Sequence, residues 1–443
     1  MINDFDAISD DSLVWARRWL ILAVSAVAIS GVFAILIALA RVPALGMLFP
    51  GAEFYRVALV LHVNLSQAVW FMAFACVLWS LYSRHVSDAL QRLALLLATL
   101  GTAGIVLSVS AGSVRPLMSN YLPVLDSPIF LGALGVFGGG VLLKALLAFG
   151  SIDLRQAGTQ AAFARLVLLR IAVGGTLAVF VLLGWTAAQM NPAEGMAYFE
   201  TLFWGPGHLW QFALLSLLMF TWLMLASRSG NRLSGGVVGV AILLSLVPLI
   251  LAMGIPFIYA PDSAASTYLY TWLMKWTSWE APLLLALAIL ATARPGMLAP
   301  GFGISLLLFV SGLFIGSLIN GQTTLITAHY HGTIGAITLA FMAVSFQLLP
   351  TLGVEPVALR QVRWQLAFYG YGILLMMCGL AGAGLMGAPR KTPGDLAVSF
   401  SVETFSRICL GIGGLCATIG ILMFAWLLLR RLLPAQNAEA YSL

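Results

Sequence analysis

The chain has 443 residues, of which 61% are hydrophobic and 9% charged, with a formal net charge of +6. A soluble domain carries roughly 25% charged residues, so this composition excludes soluble enzymes, nucleic-acid binders and disordered scaffolds. It describes a polytopic protein of the lipid bilayer, in which basic residues orient helices and do not bind nucleic acid.

A spanning helix needs about 20 apolar residues, and twelve such runs follow one another. They lie near 15–40, 55–82, 91–112, 128–149, 165–190, 200–226, 234–258, 273–293, 300–320, 322–350, 364–388 and 404–429. The expected fold is all-α, a single transmembrane domain of about twelve helices over residues 1–443. The first run is too long for a signal-peptide core and is read as a mature helix. With the amino terminus in the cytoplasm, fifteen of the twenty-two basic residues fall inside. Arg41, Arg56, Arg115, Lys275, Arg390, Lys391 and Arg407 fall outside. This bias places both termini in the cytoplasm and the protein in the cytoplasmic (inner) membrane. Lys144, within the fourth run, is expected to snorkel to the inner face.

Cys76, Cys378, Cys409 and Cys416 lie in apolar runs without a CxxC or CxxCH pattern. That argues against disulfides, a zinc site and a covalently attached c-type heme, and reads as buried free thiols. Of five histidines, His85 stands in a charged loop, whereas His62, His208, His329 and His331 fall inside runs two, six and ten. All four sit about 10–14 Å past their helix starts, at one membrane depth. His329 and His331 point some 200° apart, so one helix can serve two cofactors. A neutral imidazole ligates heme iron without bringing a charge into the bilayer. Polar packing between helices and an ion path remain the alternatives. Arg56, six residues before His62, and Arg390-Lys391 after run eleven are cations suited to heme propionates or to interfacial anchoring.

A histidine in helix two, another in helix six and an HxH in helix ten resemble the plan of the catalytic subunit (subunit I) of heme-copper oxidases. The segments ending at Met72 (RVALVLHVNLSQAVWFM) and spanning Thr323 to Ala336 (TTLITAHYHGTIGA) resemble nitric oxide reductases. WGPGHLWQ, ending at Gln211, is a looser match, and Trp279-Glu280-Ala281-Pro282 sits where those reductases carry a glutamate and a proline. The resemblance implies that His62 and His331 are the axial ligands of a low-spin b-type heme and His329 the proximal ligand of a high-spin heme. It further implies oxygen or nitric oxide as the ligand, and a cytochrome c-type or quinol-linked membrane subunit as electron donor.

The departure lies at the chemistry. The family completes a copper or non-heme iron site with one histidine on helix six and two on helix seven; His208 supplies the first, but Ile255-Pro256 occupies the place of the pair. Phe212 stands where the reductases have a metal-binding glutamate, and one imidazole is not a metal cage. His208 would need unusual ligands, Glu280 or a partner's residues. Asn120 replaces a glutamate of the reductases' calcium site and argues against calcium. Glu280, placed near the outer end of helix eight, is a candidate for a short proton route from outside or a helix cap. His208 and Glu280 are therefore the candidate catalytic residues. A respiratory diheme oxidoreductase is the first reading; a non-catalytic heme relay or gas sensor is the second, and a histidine-relay transporter the third.

Overall fold

A computed structural model describes residues 10–40, 51–84, 86–111, 114–227, 233–294, 296–390 and 400–433. Eleven helices among these are long and apolar enough to cross a membrane. They are α1 (Asp10–Ala40), α2 (Glu53–Tyr82), α3 (Asp88–Ser110), α4 (Pro128–Ser151), α5 (Gln160–Gln189), α6 (Met196–Leu225), α7 (Gly235–Phe257), α8 (Ala264–Thr292), α10 (Thr324–Leu348), α11 (Leu359–Leu385) and α12 (Glu403–Leu432). A shorter apolar helix, α9 (Phe302–Ser317), completes the twelve expected from the sequence. Helix is the form that satisfies every backbone donor and acceptor within one segment, as a water-free layer requires.

Most successive helices pack as neighbours, and α1 lies against both α2 and α12, so the chain closes on itself. The helix α10 packs on α6, α9 and α11 and is buried along most of its length. An antiparallel ribbon, β1 (Arg115–Leu117) with β2 (Val124–Asp126), stands between α3 and α4 and presents the loop 118–123.

Three expectations change. The helices α3 and α4 approach so closely that a Cβ on Gly140 would meet Ala98 N at 2.6 Å. Lys144 therefore has no path to the inner face: it is fully buried and donates to Gln91 Oε1 at 2.9 Å. The helix α8 begins at Ala264, not near 273, which moves Lys275 from the outer end of the span to a place eleven residues inside it. Pro282 breaks α8 at Ser278-Trp279, because its ring cannot pass the carbonyl four residues back and it donates no hydrogen bond. Of the four free thiols, Cys76 and Cys409 are buried, Cys416 is half-buried and Cys378 is exposed.

Candidate heme-binding site

The helix α2 carries His62 just before a π-helical turn, Asn64–Val69. Such turns insert an extra residue and re-aim the flanking side chains. Asn64 exploits it, donating to Val60 O at 2.9 Å and to Pro123 O at 2.7 Å, which ties the loop 118–123 to α2. His62 Nδ1 donates to the Ser30 carbonyl of α1 at 3.0 Å, and the Ser30 hydroxyl donates to the His62 carbonyl at 3.0 Å. Across the bundle His329 Nδ1 donates to Gly312 O of α9 at 2.8 Å, and His331 Nδ1 donates to Thr327 O of its own helix at 2.7 Å.

These bonds have a common consequence. A carbonyl only accepts, so each Nδ1 carries the proton and each Nε2 carries a lone pair. For His62 and His329, Nε2 has no hydrogen-bond partner among the described residues. Metal-ligating histidines are oriented in this way, by an outer hydrogen bond from the other ring nitrogen. A Cβ at Gly316 would lie 2.6 Å from His329 Nδ1 and 2.9 Å from its Cε1, so that glycine makes the cradle for the ring.

The helices α2 and α10 run in the same direction and meet through Phe74 stacked on Phe341, with ring centres 4.2 Å apart. His62 precedes Phe74 by twelve residues and His331 precedes Phe341 by ten, so both stand roughly 15–18 Å from that stack, at one level. Both are half-buried, although their helices are deep in the bundle.

His208 differs. It is buried, and its Nδ1 donates to Trp204 O at 2.7 Å. The Tyr121 hydroxyl lies 2.9 Å from both ring nitrogens and, with Nδ1 committed to Trp204 O, donates to Nε2; Gln211 Oε1 is 3.3 Å away. The rings of Tyr121, Trp204 and Tyr270 close around the imidazole at 4.9, 5.2 and 5.4 Å. Gly207 admits the Tyr121 ring, which any Cβ there would overlap. Burial, reinforced by the Glu200 carboxylate, pushes the Tyr121 phenol well above its usual range, so it remains a donor. Among the described residues no group of three His, Cys, Asp or Glu side chains could hold a metal ion. The residues present do not fit a copper or non-heme iron cage.

Glu280 does not join His208. Tyr270 is the α8 residue at the His208 level, and Glu280 lies ten residues further along, roughly 15 Å away. It opens the second half of α8, well away from either end of the span, with Oε2 buried and unpartnered. The position near the outer end is thereby corrected: α8 starts nine residues earlier than its hydropathy suggests.

At the outer end Arg390 donates to Asn120 Oδ1, while Asn120 N donates to Glu200 Oε2 at 2.7 Å. Burial lowers the Arg390 pKa, and the neighbouring Tyr330 and Glu200 oppose that shift. Its backbone packs on the start of α10 through Arg390 N to Gln322 O at 3.4 Å, and its guanidinium is close enough to Tyr330 to interact with it electrostatically. Arg56 is exposed, and Lys391 lies outside the described residues. Sequence reasoning missed Tyr121 as the partner of His208, and Glu200; for the former, only the Gly205-Pro206-Gly207 run, an opening for large rings, was a signal.

No protein-family model matches the chain. An uncharacterized protein of Aquifex aeolicus (strain VF5) is 30% identical over 355 residues, covering 76% of this chain and 84% of that protein. The chain belongs to that protein's family. An uncharacterized protein of Rickettsia prowazekii (strain Madrid E) is 25% identical over 494 aligned positions, covering 93% of this chain and 94% of its own. Among solved structures, a heme-copper terminal oxidase dimer studied by cryo-electron microscopy has a chain with a TM-score of 0.66 and 16% identity, over 98% of this chain and 86% of that one. This chain thus has the fold of a heme-copper oxidase catalytic subunit.

Proposed function

We propose that the chain is the heme-carrying membrane subunit of an oxidoreductase. In this reading His62 and His331 hold a low-spin b-type heme and His329 holds a high-spin heme. The observation that carries it is the shared orientation of the three imidazoles, each with Nδ1 tied to a backbone carbonyl at 2.7–3.0 Å. When bound, an iron with two histidine ligands passes single electrons, whereas one with a single histidine keeps a position open for oxygen or nitric oxide.

The chain's own contribution is orientation and charge. Ser30, Gly312 and Thr327 hold the rings in one tautomer. Arg390, at the outer end of α10, supplies a cation for propionates, with Arg56 and Lys391 as further candidates. The electron donor is a cytochrome c-type or quinol-linked membrane subunit, and the protein is one transmembrane domain of the cytoplasmic membrane with both termini inside.

The Tyr121–His208 pair favours a second reading of the same subunit. With Nδ1 on Trp204 O, the Tyr121 hydroxyl against the ring and no group of three His, Cys, Asp or Glu side chains around it among the described residues, His208 lacks a metal cage, and reactions that need two metals lose their partner site in this reading. In that reading the chain is a heme relay or gas sensor that has lost the second metal site. Pyridine-hemochrome spectra with elemental iron and copper per chain test both. Two hemes without further metal support the relay or sensor, two hemes with one extra iron or copper support a reductase, and less than one heme per chain overturns the proposal.

A further inference from the structure

The eighth span exposes a charge where a bilayer is driest. Tyr270 donates from its hydroxyl to Ala252 O at 3.1 Å, and a small cavity is lined by Ser245 together with Thr277. Both contacts set the same antiparallel register, which places Lys275 opposite residue 247. That level is ten residues from Phe257 and twelve from Gly235, the two ends of α7, or roughly 15 and 18 Å. Exposed apolar side chains run along α7 from Val240 through Ile250 to Phe257 and Ile258, so hydrocarbon reaches both its ends. Lys275 is nevertheless exposed, and it has no hydrogen-bond or ion-pair partner among the described residues. Its ammonium lies over the Trp276 ring at 5.3 Å. A lysine stem extends only about 6 Å, too short to carry the charge to either interface.

The surroundings are equally unsuited to lipid. Tyr268, Trp272, Trp276 and Trp279 are exposed beside Lys275 at helical spacing, on one face, and reach far below the headgroup level where such rings settle. Intramembrane charges face protein or water and find an opposite charge. A second copy would meet this face across a two-fold axis normal to the membrane, setting Lys275 against its own equivalent.

We infer that this face of α8 docks a transmembrane helix of a different polypeptide, one that brings an Asp or Glu carboxylate to Lys275 at mid-bilayer with its apolar surface against the indoles. The test uses the full chain in lipid nanodiscs and fluorescent Leu/Ala transmembrane peptides with Asp, Asn or Leu at the centre. Energy transfer should show the Asp peptide associating at least ~10-fold more tightly than the other two. Lys275→Met should erase that preference, and Lys275→Asp should transfer it to a peptide with a central Lys. Equal association of all the peptides, or an Asp preference that survives Lys275→Met, would overturn the inference. So would efficient disulfide dimerisation of Thr271→Cys on this face, which would show a second copy as its occupant.

Discussion

Gly316→Ala is the sharpest probe of the proposed cofactor site. The added Cβ would lie 2.6 Å from His329 Nδ1, against an ordinary contact of 3.4 Å, so the ring must retreat by about 0.8 Å. That movement pulls Nδ1 from the Gly312 carbonyl, now 2.8 Å away. Overpacking of this kind costs about 1–3 kcal/mol, and loss of an orienting second contact weakens metal binding about 10–100-fold. The assay is heme per chain by pyridine hemochrome at limiting hemin, with carbon monoxide difference spectra to isolate the high-spin site. Half or more of the carbon monoxide-reactive heme should be lost while the bis-histidine spectrum stays. Gly303→Ala, on the same helix with nothing within 4 Å of the new Cβ, is the control and should bind heme normally. Full carbon monoxide-reactive heme in Gly316→Ala would refute the claim that His329 is held for a heme.

Tyr121→Phe leaves His208 Nε2 buried without its donor and should destabilise the protein by about 1–3 kcal/mol, read as a lower unfolding temperature in detergent. The Tyr121 phenol is raised in the folded state, so its contribution is complete below about pH 10 and fades as pH rises through the higher folded value. The phenylalanine variant should accordingly lose less stability than the parent between neutral and strongly alkaline pH. Removing Gln91 from the buried Lys144 should cost more than removing Lys144 itself, since Gln91→Leu strands an ammonium and Lys144→Met strands only an amide oxygen. The double variant should be milder than the sum, measured as a double-mutant cycle of unfolding temperatures. Asn64→Leu should free the loop 118–123 from α2, read as faster proteolysis between β1 and β2.

The bundle and four of its histidines were legible from the chain text because they rest on one-dimensional quantities. An apolar run of fixed length must become a helix in hydrocarbon, and residues two apart on a helix must point to opposite sides. That sufficed to expect His62, His208, His329 and His331 at one depth and to note that helix seven offers no histidine pair. Contacts between segments far apart in sequence carried no such signal. That Tyr121, eighty-seven residues before His208, caps its Nε2 depends on the β1–β2 ribbon and the Asn64 tether. That Lys144 is sealed at Gln91 depends on how closely two glycine-bearing helices approach. Hydropathy averaged over a window also blurred the start of α8, because Tyr, Thr and Ser dilute the apolar signal ahead of Leu273. Nine residues of helix gained there carried Lys275 from the outer end of the span to its interior and Glu280 away from a helix end. Composition sets how many helices exist; packing between them sets which polar atoms meet, and the chemistry of this chain resides in those meetings.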